Sequence, residues 1–396
     1  MLITDGFNVS YIVTNIAYGT GPYLRITELC IAFNEALIQR GEKPLPFIVP
    51  LIYGEKQRKV MLEEFAEYDA KNPRQILLDR RLGELLGSIF YKDSTYEEAL
   101  EKWVVSADLV TMKIREYLSG LLTVETLSGE VMSVHGADIV LEINRSPRIF
   151  YGVAPAYSTS FGYITDILQM AIMEGRDRID VDPLLLQKGV ELASRIESAQ
   201  TLTTMAYPGT FSWHEDYVDR FGARLVPPIR NLPTYHARSA EEGVFVTITG
   251  IPGLERLYQE AKELGLRLYS NDTEAVPGSI RALPHIIPNS SIKLQFARSG
   301  WGSVWLSMFC GVPLVVPEFD SKDDPEIYFN NKAVEAMGIG VVYRGQSLAE
   351  ILTQGVRLQS QMKSLYATIE RRFGSLDGNR ASAQLFADHF LCNQKS

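Results

Sequence analysis

Cysteine and histidine are scarce in this chain, and each scarcity removes a class of chemistry. The three cysteines, Cys30, Cys310 and Cys392, stand far apart, and none lies within metal-ligand spacing of another. Cys30 and Cys310 fall in apolar helical contexts, where a buried small hydrophobe is the expected role. The histidines, His135, His214, His236, His285 and His389, are equally dispersed, so no metal site of recognisable spacing is expected. Long basic runs are absent and the formal net charge is −9. That argues against a nucleic-acid partner, because affinity for a phosphate backbone rests on clustered Lys and Arg. No apolar run reaches the roughly 18 residues that span a bilayer, which leaves peripheral membrane contact open. The cysteine usage and the lack of a recognisable signal peptide favour a reducing, cytoplasmic setting.

What the chain does have is length and alternation. At 396 residues it exceeds what one compact core usually serves, so two domains are expected. An apolar share of 46% with 22% charged residues is ordinary for a soluble globular protein. The stretch with most to say runs from Ile292 to Pro317. It predicts a strand at Ile292 to Phe296, a glycine-rich turn, a helix opening near Ser303, a stop at Gly311 and a second strand from Pro313 to Val316. A glycine-rich turn that feeds a helix N-terminus bares backbone N–H groups and the positive end of the helix dipole, and both suit a phosphate.

The order Gly300-Trp301-Gly302-Ser303, Gly311-Val312-Pro313, Pro317, the acidic residues Asp320, Asp323 and Asp324, then Asn330-Asn331 and Gly338-Ile339-Gly340 carries a resemblance. It resembles the nucleotide-sugar signature of the UDP-glycosyltransferases. The resemblance implies a donor site made of Arg298, Ser299, Gly300, Trp301, Gly302, Ser303, Asp320, Asp324 and Asn331. Thr249 and Gly250, after the first strand of the same domain, and His285 and Ile286, in a segment similar to the family's nucleobase loop, join that site. Family members usually carry a His before the turn, where this chain has Arg298 or Ser299; guanidinium can replace it as a phosphate partner. A ribose-binding Glu of the family falls at Leu306.

At the N-terminus, Val9 to Ile16 predicts a strand, and Gly19-Thr20-Gly21-Pro22-Tyr23 a turn before a helix from about Leu24 to Arg40. Gly-x-Gly after a first strand also fits a dinucleotide-binding fingerprint. The third glycine is missing, since Leu24 stands in its place, and no acidic residue follows near Leu51. The loop resembles instead the acceptor-side loop of the same glycosyltransferases and of the lipid II N-acetylglucosaminyltransferase. Gly19, Thr20, Gly21 and Tyr157 are expected on that side, in an aromatic and hydroxyl-rich loop at 157–161. The family's base His has no counterpart, so Tyr23 and Glu28 are the candidate bases; a phenol with a pKa near ~10 is a poor one.

Further along, Ile76 to Phe90 predicts an amphipathic helix, Thr123 to Val131 a hairpin and Leu184 to Leu202 a helix. The proline-rich stretch from Tyr207 to Pro233 reads as a connector. The expected organisation is a Rossmann-like domain at 1–206, a linker at 207–242, a Rossmann-like domain at 243–378 and a C-terminal helix at 379–396; the resemblance implies that the first is the acceptor domain, the second the donor domain, and that the last helix returns to the first domain. The fold class is α/β, and the resemblance implies GT-B, two Rossmann-like domains facing a central cleft. It also implies a metal-independent glycosyltransferase that takes a UDP- or dTDP-sugar as co-substrate, needs no cofactor and passes the sugar to an unidentified acceptor. A UDP-sugar 2-epimerase of the same fold and a GT-B protein that binds without turnover are the alternatives.

Overall fold

The computed structural model describes residues 10–17, 19–90, 95–135, 137–214, 216–231, 240–247 and 254–394. Two compact units result: Met1–Ala206 with Val218–Val226 and Asn379–Ser396, and Tyr207–Tyr217 with Pro227–Gly378.

The first unit alternates β1 (Ile12–Asn15), α1 (Thr20–Gln39), β2 (Phe47–Pro50), α2 (Gly54–Lys71), β3 (Ile76–Asp79), α3 (Arg80–Gly87) and α4 (Tyr96–Leu118). The hairpin β4 (Leu121–Thr126) and β5 (Val131–His135) precedes β6 (Ile139–Asn144), β7 (Ala156–Ser160), α5 (Ile164–Glu174), α6 (Pro183–Ser198), β8 (Leu202–Ala206) and β9 (Arg224–Val226). Nine strands order as β5-β4-β3-β2-β1-β6-β7-β8-β9. All neighbours pair in parallel except at β3–β4 and β4–β5. Parallel strands covered on both faces read as unbroken apolar runs, as Phe47–Pro50 and Ile76–Asp79 do, with every residue buried.

Ile76 to Phe90 is therefore a strand followed by a helix. The apolar run Ile76-Leu77-Leu78 fills the sheet, and Asp79 then caps α3 by accepting from the Leu82 amide at 2.8 Å. Helix α1 starts at Thr20, earlier than the apolar period suggests, and takes Gly21 and Pro22 into its first turn. Proline is tolerated there, since a first-turn N–H has no intrahelical acceptor.

The second unit runs β10 (Gly243–Val246), α7 (Glu255–Glu263), β11 (Arg267–Ser270), β12 (Ile280–Arg281), β13 (Ile292–Phe296), α8 (Trp301–Cys310), β14 (Leu314–Pro317), α9 (Pro325–Met337), β15 (Gly340–Tyr343), α10 (Leu348–Thr353) and α11 (Gly355–Phe373). Its six strands order as β12-β11-β10-β13-β14-β15, all parallel. This is the doubly wound order, whose direction reverses between β10 and β13. The corresponding reversal in the first unit lies between β1 and β6.

The last helix, α12 (Gly378–Gln394), belongs to the first unit from Asn379 onward. Ala383, Phe386, Ala387 and Phe390 enter the same core as Ile26, Leu29 and Phe33 of α1. The Thr204 and Ser382 hydroxyls bond at 2.8 Å, and Arg40 holds Asp388 at 2.7 Å. The 207–242 stretch, expected as a linker, is divided between the units: Val218–Val226 belongs to the first and contains β9, while Pro208, Thr210 and Arg230 bond to α8 and α9 in the second. No described helix is long and apolar enough to cross a membrane.

Candidate functional site

Ligands of doubly wound sheets collect beyond the carboxyl ends of the strands at the point of reversal. In the second unit that point is the turn from β13 into α8. Gly300 caps α8 without any side-chain bond, and the first turn carries no acidic residue. The Ser303 amide bonds back to the Gly300 carbonyl at 2.9 Å, whereas the amides of Trp301 and Gly302 have no carbonyl one turn behind them. Arg298, 45% exposed, precedes the cap and pairs with the Asp323 carboxylate. From the other flank Arg230 Nη1 donates to the Gly302 carbonyl at 3.0 Å. A positively polarised helix start with no side-chain cap and a guanidinium just before it suits a polyvalent anion.

The donor-side residues expected from sequence divide around this turn. Ser299 is buried, its hydroxyl donating to the Ile327 carbonyl at 3.3 Å. Trp301 is buried as well, its indole N–H held by Thr210 and Asn330. Ser303 is half-buried in the first turn of α8. Asn331 donates to the Pro317 carbonyl at 2.9 Å, which ties α9 to the end of β14. Asp324 caps α9 by accepting from the Glu326 amide at 2.9 Å and is buried. Asp320 is exposed and closes its own turn through the Lys322 amide at 3.0 Å. Asp323 is thus the acidic residue that meets Arg298. His285 and Ile286 lie in a short 3₁₀ turn, Pro284–Ile286, and Ile286 packs on the apolar cluster that holds Leu306. Thr249 and Gly250 lie outside the described residues.

The acceptor-side residues are arranged differently. The Gly19 amide, at φ 119°, is already taken by the Tyr53 hydroxyl at 2.6 Å. Thr20 opens α1, Gly21 is exposed within its first turn, and Pro22 removes one of the donors that an anion would need. Tyr23, at 2% exposure, is a core residue with its ring 6.1 Å from that of Tyr53. Glu28 is buried and paired with Arg25. Neither candidate base is open to an acceptor hydroxyl in this arrangement. Tyr157 stands in β7, not in a loop, and is fully buried; its hydroxyl shares a 3.1 Å bond with His389 Nδ1, and burial pushes the phenol up to about 12. The hydroxyl run Ser158-Thr159-Ser160 is strand interior, where polar residues that alternate with little apolar content resemble a loop in sequence alone.

Beneath that region lies a sealed polar cluster at the reversal between β1 and β6. Arg148, 2% exposed, pairs with Glu142 and donates to Asn144 Oδ1 at 2.7 Å. Asn15 donates to Glu142 at 2.8 Å and to the Ile149 carbonyl at 2.7 Å. Asn144 donates to Glu197 at 2.6 Å, and Glu197 caps α5 by accepting from the Ile164 amide at 2.7 Å. Burial raises the pKa of both Glu142 and Glu197 against the lowering effect of Arg148 and the surrounding donors. Arg148, Thr210, Arg230, Asp323 and Asn330 carry most of this geometry. Sequence spacing gave Arg148, Thr210 and Arg230 no role; Thr210 and Arg230 meet their partners 91 and 72 residues away, whereas Asp323 and Asn330 stand within the motif that carries the resemblance.

No family model matches the chain, and no curated protein matches it in sequence. Solved structures do. A UGT of Phytolacca americana, complexed with UDP-2-fluoro-glucose and pterostilbene, aligns at a TM-score of 0.60 and 11% identity, covering 97% of this chain and 99% of that one. A UDP-glucosyltransferase from Polygonum tinctorium, capable of glucosylating indoxyl, aligns at 0.59 and 14% identity over 98% and 99%. A UGT of Medicago truncatula complexed with UDP-glucose aligns at 0.54 and 13% over 96% and 98%. Near-complete coverage in both directions means that the likeness extends over both units of the chain. The chain therefore has the GT-B fold of the UDP-glycosyltransferases.

Proposed function

We propose that the protein is a glycosyltransferase that moves a sugar from a nucleoside-diphosphate sugar to an acceptor hydroxyl without a metal ion. The observation that carries this reading is the uncapped start of α8 at the reversal point of its sheet, with Arg298 at its mouth. Cleaving the bond between the anomeric carbon and the diphosphate leaves the electron pair on the terminal phosphate oxygen, so a group that carried two negative charges in the donor carries three as it leaves. Preorganised amides and a guanidinium stabilise charge that develops there more than they stabilise the bound donor. The role of Arg298 is to bind the leaving diphosphate, exchanging part of its pairing with Asp323 for phosphate oxygens. The roles of Trp301 and Gly302 are main-chain donation to the same group. Leu306, 3% exposed within an apolar cluster, offers no hydrogen bond to a ribose, so the nucleoside is held by other contacts. Ile286, packed on that cluster, fits the base side of the nucleoside. The donor is read as a UDP- or dTDP-sugar.

A second reading has an observation of its own: the burial of Tyr23 and the pairing of Glu28 with Arg25 favour a protein that binds the nucleotide without transferring sugar. Calorimetric titration with UDP and dTDP, followed by a donor-hydrolysis assay on UDP-glucose and dTDP-glucose, separates the two. Binding with release of sugar supports transfer. Binding with no turnover of any donor favours the second reading, and absence of binding defeats both.

A further inference from the structure

The turn that opens α8 is built from Gly300, Trp301 and Gly302, so Trp301 supplies its one side chain, and Arg230 holds the Gly302 carbonyl at 3.0 Å. Glycine on either side leaves the backbone loose, so the position of Trp301 depends on where the indole is held. Trp301 Nε1–H is shared between Thr210 Oγ1 at 3.0 Å and Asn330 Oδ1 at 2.9 Å. The Thr210 hydroxyl donates in turn to Asn330 Oδ1 at 3.0 Å, and Asn330 Nδ2 donates to Glu326 at 3.1 Å. Two donors converge on the Asn330 oxygen and one acceptor faces its nitrogen, which settles the orientation of that amide. Thr210, Asn330 and Trp301 are all at most 1% exposed, so water does not compete for these bonds.

Thr210 reaches α8 from the connector Tyr207–Tyr217, which is locked to the same two helices elsewhere. Trp305 Nε1 donates to the Pro208 carbonyl at 3.0 Å, and the rings of Phe211 and Phe329 lie 5.3 Å apart. Arg372 stacks 4.7 Å over the Tyr207 ring. The connector is thus held by several contacts, and among the described residues the Thr210 hydroxyl is its hydrogen bond to the first residue of α8.

We propose that Thr210 and Asn330 are positioning residues for the donor diphosphate: they clamp the Trp301 indole and thereby hold the Trp301 and Gly302 amides in place for phosphate. The inference rests on the donor reading of the preceding subsection and assigns neither residue a contact with the ligand. Fixed donors bind better than donors that must be ordered on binding, because the ordering entropy is already spent.

The test measures UDP affinity by calorimetry and uridine affinity by ligand-observed NMR on the full chain. Thr210→Val removes the hydroxyl at constant shape; UDP affinity is expected to fall about fivefold, the worth of one buried hydrogen bond, with uridine affinity unchanged. Thr210→Ser, which keeps the hydroxyl, restores UDP affinity. Phe211→Leu loosens the same connector without touching the indole, and is expected to lower Tm while leaving UDP affinity intact. Should Thr210→Val fail to fold, Trp301→Phe removes the same N–H and is expected to give the same loss. Unchanged UDP affinity in a folded Thr210→Val protein overturns the proposal. So does a parallel loss for UDP and uridine, or an equal loss in Phe211→Leu, since either marks general loosening. A wild-type protein that binds neither UDP nor dTDP overturns the donor reading itself, a distinct result.

Discussion

In both units a glycine-rich turn leaves one of the two strands that flank the reversal of strand order, β1 in the first and β13 in the second, yet the two turns are treated in opposite ways. In the first unit the reversal between β1 and β6 is filled from within: Arg148 is buried against Glu142 and Asn144, Asn15 bridges to Ile149, and Gly19 has lent its amide to Tyr53. In the second unit the cation at the corresponding place, Arg298, stays half-exposed, and α8 starts with no side-chain cap. The same backbone plan therefore gives a self-satisfied corner in one unit and an anion-ready corner in the other. Glycine in a strand-to-helix turn reports the geometry of the chain; the partners of the amides decide whether a ligand has anything left to bind.

The comparison is broken most severely by removing the internal cation. Arg148→Met strands Glu142 without its partner in a buried site, and is expected to lower stability by about 3 to 5 kcal/mol. Chemical denaturation measures it, and a loss below about 1 kcal/mol would mean that the cluster is not holding the first unit together. In the second unit, Arg298→Ala is expected to weaken nucleoside-diphosphate binding by about 1.5 to 3 kcal/mol, as for a lost charge-assisted hydrogen bond, with little change in Tm. Unchanged affinity in calorimetry removes Arg298 from the site.

Gly19 and Gly300 sharpen the contrast. At φ 119° Gly19 has a conformation that an L side chain rarely adopts, so Gly19→Ala is expected to cost about 1 to 3 kcal/mol of stability and to leave UDP affinity alone. Gly300, at φ −61° with no heavy atom within 4 Å of a Cβ built there, should accept alanine with no loss of stability. The smallest expected effect is Asp323→Asn, which frees Arg298 of an exposed competitor and should tighten UDP by about 0.5 kcal/mol.

A pH effect belongs to the first unit. Burial raises Asp166 to about 6 from its usual 3.8, with Arg220 opposing. The folded state therefore holds this proton more tightly than the unfolded state does. Stability is expected to fall as pH rises from about 4 to about 6. Glu197 and Asp219 also face this carboxylate and Arg220 pairs with it, so Asp166→Asn should flatten that slope in part. An unaltered slope in denaturation curves at pH 4, 5 and 6 would show that Asp166 does not set it.

Much of this was legible in the residues. The alternation of strands and helices and the turn at Gly300 follow from apolar runs, stop signals and spacing, whereas the return of the last helix to the first unit came only from the resemblance. Ile76 to Phe90 misled because Ile76-Leu77-Leu78 followed by Leu82, Leu85 and Leu86 satisfies a helical period, while Asp79 marks a cap only once the strand is seen. The 157–160 run misled because hydroxyl residues inside a parallel sheet look like a loop. Tyr23 becomes a candidate base by its place after the glycine turn; α1 begins at Thr20 and the side chain lies in the core, 2% exposed, which the alignment of glycines does not reveal. Thr210 and Arg230 were out of reach, since their partners lie 91 and 72 residues away, and no periodicity spans that distance.

Backbone amide NMR of the protein titrated with UDP tests the central claim most directly. The account expects the Trp301 and Gly302 amide resonances to move with saturation, and those of Gly19, Gly21 and Tyr23 to stay where they are. Shifts confined to Gly19–Tyr23, or saturation binding that leaves Trp301 and Gly302 unmoved, would contradict it.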